Sequence, residues 1–458
     1  MKSKIVSRVM LFLLITNMSI LTFDVHKAKA EPKTWTVDDD EPADFLKIQD
    51  AIDAASPGDR IQVGSGTYYE KLLINKAISL VGERSTTTII DAMQKGNPIT
   101  VVVSKVTIQG FTIRNGSSYS GIFLYLNNNT SITNNIIKGN LYGIEIYMAS
   151  NNYLARNNVE NNQRGIWIFF SSNNTLRDNA IAQNTYNFGV WGLDLEYFLN
   201  DVDSSNTVDS KPVYYWINRH GGSVPLDAGY VALVNSTNLT VKNLTLNKNF
   251  YGILLAYTNN TIIQNNEITN NKDGIKLYES SYNNLIGNTI EDNERFGFWL
   301  GHSSNNKFYH NNLINNTNQV YEASWTAPGI PPSISVWDDG YPSAGNYWSN
   351  YSGIDADRDG IGDTSYIIDE NNQDRYPLIN PWSSGENGNG SDEDDSSENG
   401  EGDDETTHPF WAQWWFFAVV AVGTVALVGA VYFLQKKKTP TPTAPTLPSE
   451  DTACIMHG

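Results

Sequence analysis

Residues 355–363 read Asp-Ala-Asp-Arg-Asp-Gly-Ile-Gly-Asp. Carboxylates at positions 1, 3, 5 and 9, with glycine at 6, match the opening of a calcium loop. Asp355, Asp357, Asp359 and Asp363 would be side-chain ligands, and Ile361 would supply the carbonyl of position 7. Position 12 is Tyr366 rather than Glu, so the missing carboxylate must come from elsewhere, with Asp369 a candidate. The expectation is a structural calcium ion that ties off the end of the fold; the alternative is an acidic surface turn.

The second chemical signal is a recurring apolar alternation opened by glycine: GIFLYL at Gly121, GIEIYM at Gly143, GIWIFF at Gly165, GVWGLD at Gly189, then GILLAY at Gly252, GIKLYE at Gly274 and GFWL at Gly297. If each is a strand, side chains alternate between faces. One outward column then reads Phe123, Glu145, Trp167, Trp191, Leu254, Lys276, Trp299, and the next reads Tyr125, Tyr147, Phe169, Ala256, Tyr278. Aromatic faces with a few charged groups suit a sugar chain, whose C–H faces pack on rings while charges bond hydroxyls or uronates. A self-stacking ladder covered by the Leu193–Tyr230 excursion is the structural alternative, and the pattern is equally consistent with both.

The elements that must position these residues follow from the period. The glycines recur about every 22 residues, and asparagines recur with them in three series: Asn151-Asn152, Asn173-Asn174, Asn283-Asn284 and Asn305-Asn306; Asn135, Asn157, Asn179, Asn265, Asn288 and Asn311; Asn140, Asn162, Asn184, Asn270, Asn293 and Asn315. Three corners per repeat mean three short strands per turn of chain, each too short to bury its face alone; stacking successive turns gives one continuous core. Asparagine suits such corners because it tolerates left-handed backbone and its amide can bond the asparagine stacked above. The fold expected is an all-β, right-handed parallel β-helix of about 22-residue coils. Apolar positions Phe45, Ile48, Ile52 and Ala55 predict a short helix plugging its first open end, where bare edge strands would recruit other chains.

Both termini carry membrane signals. Lys2, Lys4 and Arg8 precede the mostly apolar Val9–Phe23, and Ala28-Lys29-Ala30 offers small residues for cleavage, so residues 1–30 read as a signal peptide. Phe410–Leu434 is long and apolar enough to span a bilayer, with Trp411, Trp414 and Trp415 at its start and Lys436-Lys437-Lys438 after it. The organisation expected is residues 31–110 for the N-terminal cap and first coils, 111–325 for the repeats with an excursion at 193–230, 326–382 for a C-terminal cap, 383–409 for an acidic stalk, 410–434 for a single transmembrane helix and 435–458 for a cytoplasmic tail. The net charge is −19, concentrated in Glu386–Glu405, which argues against a nucleic-acid partner. The one cysteine, Cys454, excludes an intrachain disulfide framework.

These residues carry a resemblance. The asparagine-rich coils, the opening DFLKIQDAIDAASPGDRIQVGSGTYYEKLLINKAISLVG, the segment Asn206–Leu246 and the ending GNYWSNYSGIDADRDGIGDTSYIID resemble the NosD-like β-helix family and the pectin-lyase-like domain of carbohydrate-binding proteins and sugar hydrolases, in its archaeal surface form. The resemblance covers roughly residues 34–382. It implies the fold strongly and the activity weakly, because one fold hosts many functions. The family name raises copper, which favours His, Met and Cys. His220, His302, His310 and His408, with Met93 and Met148, form no close motif, so copper is not expected. For catalysis, Glu145, Asp194, Arg219, His220, Asp227, Asp273, Lys276 and Glu279 lie on or beside the sheet, yet none forms a recognisable motif. The function expected is therefore a membrane-anchored, extracellular protein that binds polysaccharide or cell-surface glycan through Phe123, Tyr125, Glu145, Tyr147, Trp167, Phe169, Trp191, Lys276, Tyr278 and Trp299. The alternatives are a polysaccharide lyase, hydrolase or epimerase, and a NosD-like copper-protein maturation factor. Asn-x-Ser/Thr triplets, Asn315 and Asn350 among them, are compatible with a glycosylated exterior.

Overall fold

The computed structural model describes residues 31–40, 42–326 and 329–383. The expected signal peptide, acidic stalk, membrane span, cytoplasmic tail, His408 and Cys454 lie outside the described residues. Among the described residues no helix is long and apolar enough to cross a membrane. The described residues up to Trp382 form one compact unit.

That unit is a β-solenoid with coils about 22 residues apart. The inward residues stack in register: Ile122 on Ile144, Ile144 on Ile166 and Ile166 on Phe188, all fully buried. Each strand is only three to six residues long in this run, so its stability comes from the coil above and below rather than from itself. The opening glycines are required by close approach. A Cβ on Gly143 would stand 2.3 Å from Val159 Cγ1 and 2.8 Å from the Gly165 carbonyl oxygen.

The corner asparagines divide into two kinds. One kind is buried and laddered: Asn157 donates to Asn179 Oδ1 (2.9 Å) and to the Ile132 carbonyl (2.8 Å), and its own Oδ1 accepts the Asn135 backbone N–H (3.2 Å). The other kind is exposed with left-handed φ. In the second half the ladder members are Asn266, Asn271 and Asn316, not the expected Asn265, Asn270 and Asn315. The latter three have φ of 52°, 55° and 51° and face outward, so left-handed backbone and stacked amide bonding fall to adjacent residues rather than to one.

The fourth repeat is also out of the expected register. Phe188 pairs with Ile166, Gly189 with Trp167 and Trp191 with Phe169, so the coil is again 22 residues and Asn187 takes the place expected of Gly189. The Gly189 position is empty for a different reason: a Cβ there would stand 2.5 Å from Phe250 Cβ and 2.7 Å from the Trp167 ring.

The Leu193–Tyr230 excursion is mostly not an excursion. Asp201–Val202 and Thr207–Val208 complete a further coil on the strands Thr175–Arg177 and Ala180–Ala182. A two-residue turn then reverses the chain: Asp209 and Ser210 have φ of 45° and 69°, and Lys211–Ile217 pairs antiparallel with Thr207–Val208. Paired left-handed residues are the backbone of a tight hairpin. Asp209 anchors the turn, accepting from the Gln183 N–H (3.0 Å) and Asn187 Nδ2 (3.1 Å). From Lys211–Ile217 a second run of parallel coils begins. Among the described residues the longest sheet therefore holds thirteen strands, seven in one direction followed by six in the other.

At the start, the helix Ile48–Ala54 buries Ile48, Ala51 and Ile52 and packs against Thr34–Val37, Arg60–Val63 and Leu72–Ile74. Its first N–H groups are satisfied by Glu70, at 2.8 Å from Ile48 and 3.0 Å from Gln49. Phe45 lies before the helix and packs on Trp35 instead (5.4 Å). At the other end, Trp337 stacks on Phe308 (4.1 Å) and Trp348 on Tyr366 (4.2 Å). Asp374 accepts from Trp348 Nε1 (2.8 Å) and the Asn346 N–H (2.7 Å), and burial pushes its carboxyl up to about 6 against those donors.

Candidate functional site

The outward face of the Gly-opened strands has two different ends. In the first coils the rings are half-exposed. Phe123 stacks on Tyr125 (5.7 Å), Tyr125 meets Tyr147 (5.9 Å), and Glu145 stands in the column beside them, bonded by Ser120 Oγ. Partial burial, followed by the neighbouring Tyr125 and Glu145, raises the Tyr147 hydroxyl above its usual range. Leu126 (58% exposed) and Met148 (45%) at the adjoining corner extend the apolar surface.

Farther along, the same columns are covered. Trp167 is 6% exposed, with the Phe250 ring stacked on it at 4.1 Å through the gap left by Gly189. Phe169 and Trp191 are buried, and Trp191 meets Tyr278 (5.4 Å) and Trp299 (5.5 Å) from the second run. Lys276 is 3% exposed, its Nζ 3.4 Å from the Trp191 ring centre and 3.6 Å from that of Trp299. Leu254 and Ala256 are fully buried. The continuous exposed stripe from Phe123 to Trp299 is thus corrected. Trp191 belongs to the Tyr125 column, and Trp167, Phe169, Trp191, Lys276, Tyr278 and Trp299 form an internal cluster where the two runs meet, because the second run reverses and lays the outer face of its own strands on the first.

Most of the other catalytic candidates are held by neighbours. Asp273 is fully buried and paired with Arg295 through two contacts (3.0 and 2.8 Å). Tyr214 donates to Asp227 (2.8 Å), Arg219 lies over Trp216 (3.7 Å), and Glu279 lies 3.5 Å from His302. His220 shares a hydrogen bond with Thr237 (2.8 Å). Asp194 precedes the short helix Leu195–Phe198 without capping it through its side chain. His310 stacks on Trp382 (3.6 Å) and meets the Ser343 carbonyl (2.5 Å); burial lowers its imidazole. The three described histidines therefore sit in separate surroundings.

In the acidic loop, one oxygen each of Asp355, Asp357 and Asp359 lies within 4.8 Å of the others. Asp355 accepts the N–H groups of Asp359 (3.2 Å) and Gly360 (3.0 Å), and Gly360 has φ of 89°, the sharp turn that glycine permits. Desolvation, followed by the adjacent Asp359, raises the Asp357 carboxyl above its usual range. Three convergent oxygens of this type fit a hard cation such as calcium. Asp363 instead turns its carboxylate to the Ala356 N–H (2.8 Å). Asp369 is engaged elsewhere, with Trp325 Nε1 (3.2 Å), the Asn371 N–H (2.8 Å) and Asn372 Nδ2 (3.0 Å), so it is not a ligand of this arrangement. A second triplet, Asp38, Asp39 and Asp40, escaped the sequence reading because it lacks a spaced motif.

Comparison with known proteins agrees with the resemblance. Residues 226–353 match the family described as periplasmic copper-binding protein (NosD), and residues 83–215 match the right handed beta helix region. The chain is 30% identical over 156 residues to the probable ABC transporter binding protein NosD of Pseudomonas aeruginosa, covering 30% of this chain and 33% of that protein. It is 38% identical over 97 residues to a cell surface glycoprotein of Methanothermus fervidus, covering 20% and 16%. The chain thus spans about a third of the first relative and about a sixth of the second. Among solved structures, an alginate lyase from Paenibacillus sp. str. FPU-7 is similar over 66% of this chain and 98% of its own, at 13% identity and a TM-score of 0.29, too low to bear on activity. The protein is similar to NosD-like β-helix proteins and to a surface glycoprotein.

Proposed function

We propose that the protein is a cell-surface β-helix that binds a polysaccharide or surface glycan on the half-exposed rings of its first coils. The observation that carries this reading is the Phe123–Tyr125–Tyr147 group, rings 5.7 and 5.9 Å apart on an in-register parallel sheet with Glu145 alongside. Rings held this way offer sugars a platform at little entropic cost, and the carboxylate accepts hydroxyls. Trp167, Phe169, Trp191, Lys276, Tyr278 and Trp299 hold the adjoining coils together beside the platform rather than touching ligand. The test is a polysaccharide panel on residues 31–382, scored for both retention and cleavage. Retention weakened about five-fold in Tyr147→Ala supports the reading; cleavage abolished by Glu145→Gln would make the protein an enzyme instead.

On this reading residues 1–30 export the chain, 410–434 anchor it and the helix Ile48–Ala54 closes the first end of the solenoid. Protease added to intact cells should release the ectodomain through the acidic stalk; an ectodomain recovered in the cytosol would overturn the topology. Asp355, Asp357 and Asp359 hold a structural calcium ion, with Ile361 and Asp363 nearby in the loop. Saturating calcium at about 100 times its Kd would add about 2.7 kcal/mol. Melting with and without chelator checks this, and Asp357→Ala should remove the difference.

A further inference from the structure

Two clefts lie on one corner of the second run of coils. The first, about 540 Å³, lies where the runs meet and is lined by Tyr186 from the first run and by Lys248, Asn270, Asp292 and Glu294 from the second. The second, about 500 Å³, lies toward the last coil and is lined by Asn315, Asn318, Trp325, Asn350 and Tyr366. They occupy neighbouring coils. The Asp292 N–H donates to the Ile314 carbonyl (3.0 Å), and Thr317 Oγ1, in the wall of the second cleft, donates to the carbonyl of Glu294 in the first (2.6 Å).

The corner is built to be polar and open. Lys248, Asn270, Asp292 and Asn315 recur one coil apart with φ of 54°, 55°, 52° and 51°, so each side chain is turned outward while the next residue, Asn249, Asn271, Asn293 or Asn316, turns in to the amide ladder. All four are exposed. At ~4.8 Å per coil, the run from Lys248 to the Ser349 level covers about 19 Å. At the far end Trp325 is 47% exposed, its ring 6.1 Å from Tyr321 and its indole N–H fixed on Asp369 Oδ2 (3.2 Å). Tyr366 donates to Asn350 Oδ1 (3.2 Å). A fixed indole face beside primary amides is a combination that packs a sugar ring and bonds its hydroxyls. Asp292 and Glu294 accept further hydroxyls and disfavour a polyanion.

We propose that this corner is a second ligand groove, which takes a linear neutral oligosaccharide of about four rings along the solenoid axis. It shares with the aromatic-platform reading only the premise that the ligand is a saccharide; no residue is common to the two sites. The test is binding of neutral hexasaccharides (cellohexaose, maltohexaose, mannohexaose) and of hexagalacturonate to residues 31–382, followed by Trp fluorescence and calorimetry. The groove requires that a neutral hexasaccharide bind, that Trp325→Ala and Asp292→Asn each weaken it at least five-fold, that Trp325→Tyr recover part of the loss, and that Tyr147→Ala leave it unchanged. Both altered residues are exposed, so an unchanged melting curve certifies the variants. The groove is overturned if no neutral hexasaccharide binds, if Trp325→Ala binds normally, or if mass spectrometry of the native protein finds a glycan on Asn315 or Asn350 filling the second cleft. Binding of hexagalacturonate alone, lost in Tyr147→Ala, would sink the groove and leave the platform standing.

Discussion

The two ends of one aromatic face have the same sequence pattern and opposite fates. Phe123, Tyr125 and Tyr147 sit on the outer side of their strands with water beside them. Trp167, Phe169 and Trp191 sit on the outer side of the following strands and are buried. Nothing in the alternation distinguishes them. What differs is the neighbour: Phe250 reaches Trp167 through the space over Gly189, while Trp299, Tyr278 and Lys276 close on Trp191. An outward-facing residue of a solenoid is exposed only if no later part of the chain returns to it, and here a reversed second run does return.

The largest test of this contrast is Trp167→Ala. Loss of a buried indole stacked at 4.1 Å should cost about 3–5 kcal/mol in stability, measured by urea unfolding of residues 31–382. A variant of wild-type stability would mean that the ring is exposed and the contrast false. The corners offer the same contrast between neighbours. Asn266 Nδ2 donates to the Val241 carbonyl (3.0 Å) and Asn288 (2.9 Å) while its Oδ1 accepts the Leu244 N–H (3.1 Å), so Asn266→Ala strands buried partners and should cost about 2 kcal/mol. Asn265→Gly, one residue away at φ of 52°, should leave stability nearly unchanged.

Lys276→Met sharpens the role of the cluster. A caged ammonium over two indoles contributes about 1–2 kcal/mol, so the variant should lose that much stability and keep glycan retention intact. Lost retention at full stability would move Lys276 back to the ligand site. Tyr147→Ala is the converse and the smallest in stability. It should shift the melting temperature little and weaken retention about five-fold, equivalent to about 1 kcal/mol.

Much of the fold could be read directly. The 22-residue spacing from Gly121 to Gly143 to Gly165 reappears as in-register pairing, and the Asn135–Asn157–Asn179 series as an amide ladder. The reading failed where two residue types compete for one place. Gly189 looks like an opening glycine because glycine opens the other repeats, yet Asn187 fills that position and Gly189 makes room for a ring 61 residues later. Asn265 fits the ladder spacing as well as Asn266 does because adjacent asparagines look alike, although only Asn266 turns inward. The acidic loop was legible as a run of ligands, whereas the employment of Asp363 and Asp369 by Ala356 and Trp325 was not.

The period, the strand alternation and the asparagine corners were determined by the sequence itself, because each depends on contacts between residues one coil apart and repeats until it is unmistakable. The reversal at Asp209–Ser210 was decided only in the tertiary structure. Neither residue is glycine or asparagine, and what holds the turn is Asp209 bonding Gln183 and Asn187 of the preceding coil, a contact that exists only once that coil is built. From that single turn follow the direction of the second run of parallel coils, the packing of Phe250 on Trp167 and of Trp299 on Trp191, and the corner on which the two clefts lie. Local repetition carries its own signal in the chain; which surface the second run covers depends on one non-repeating turn, and so carries none.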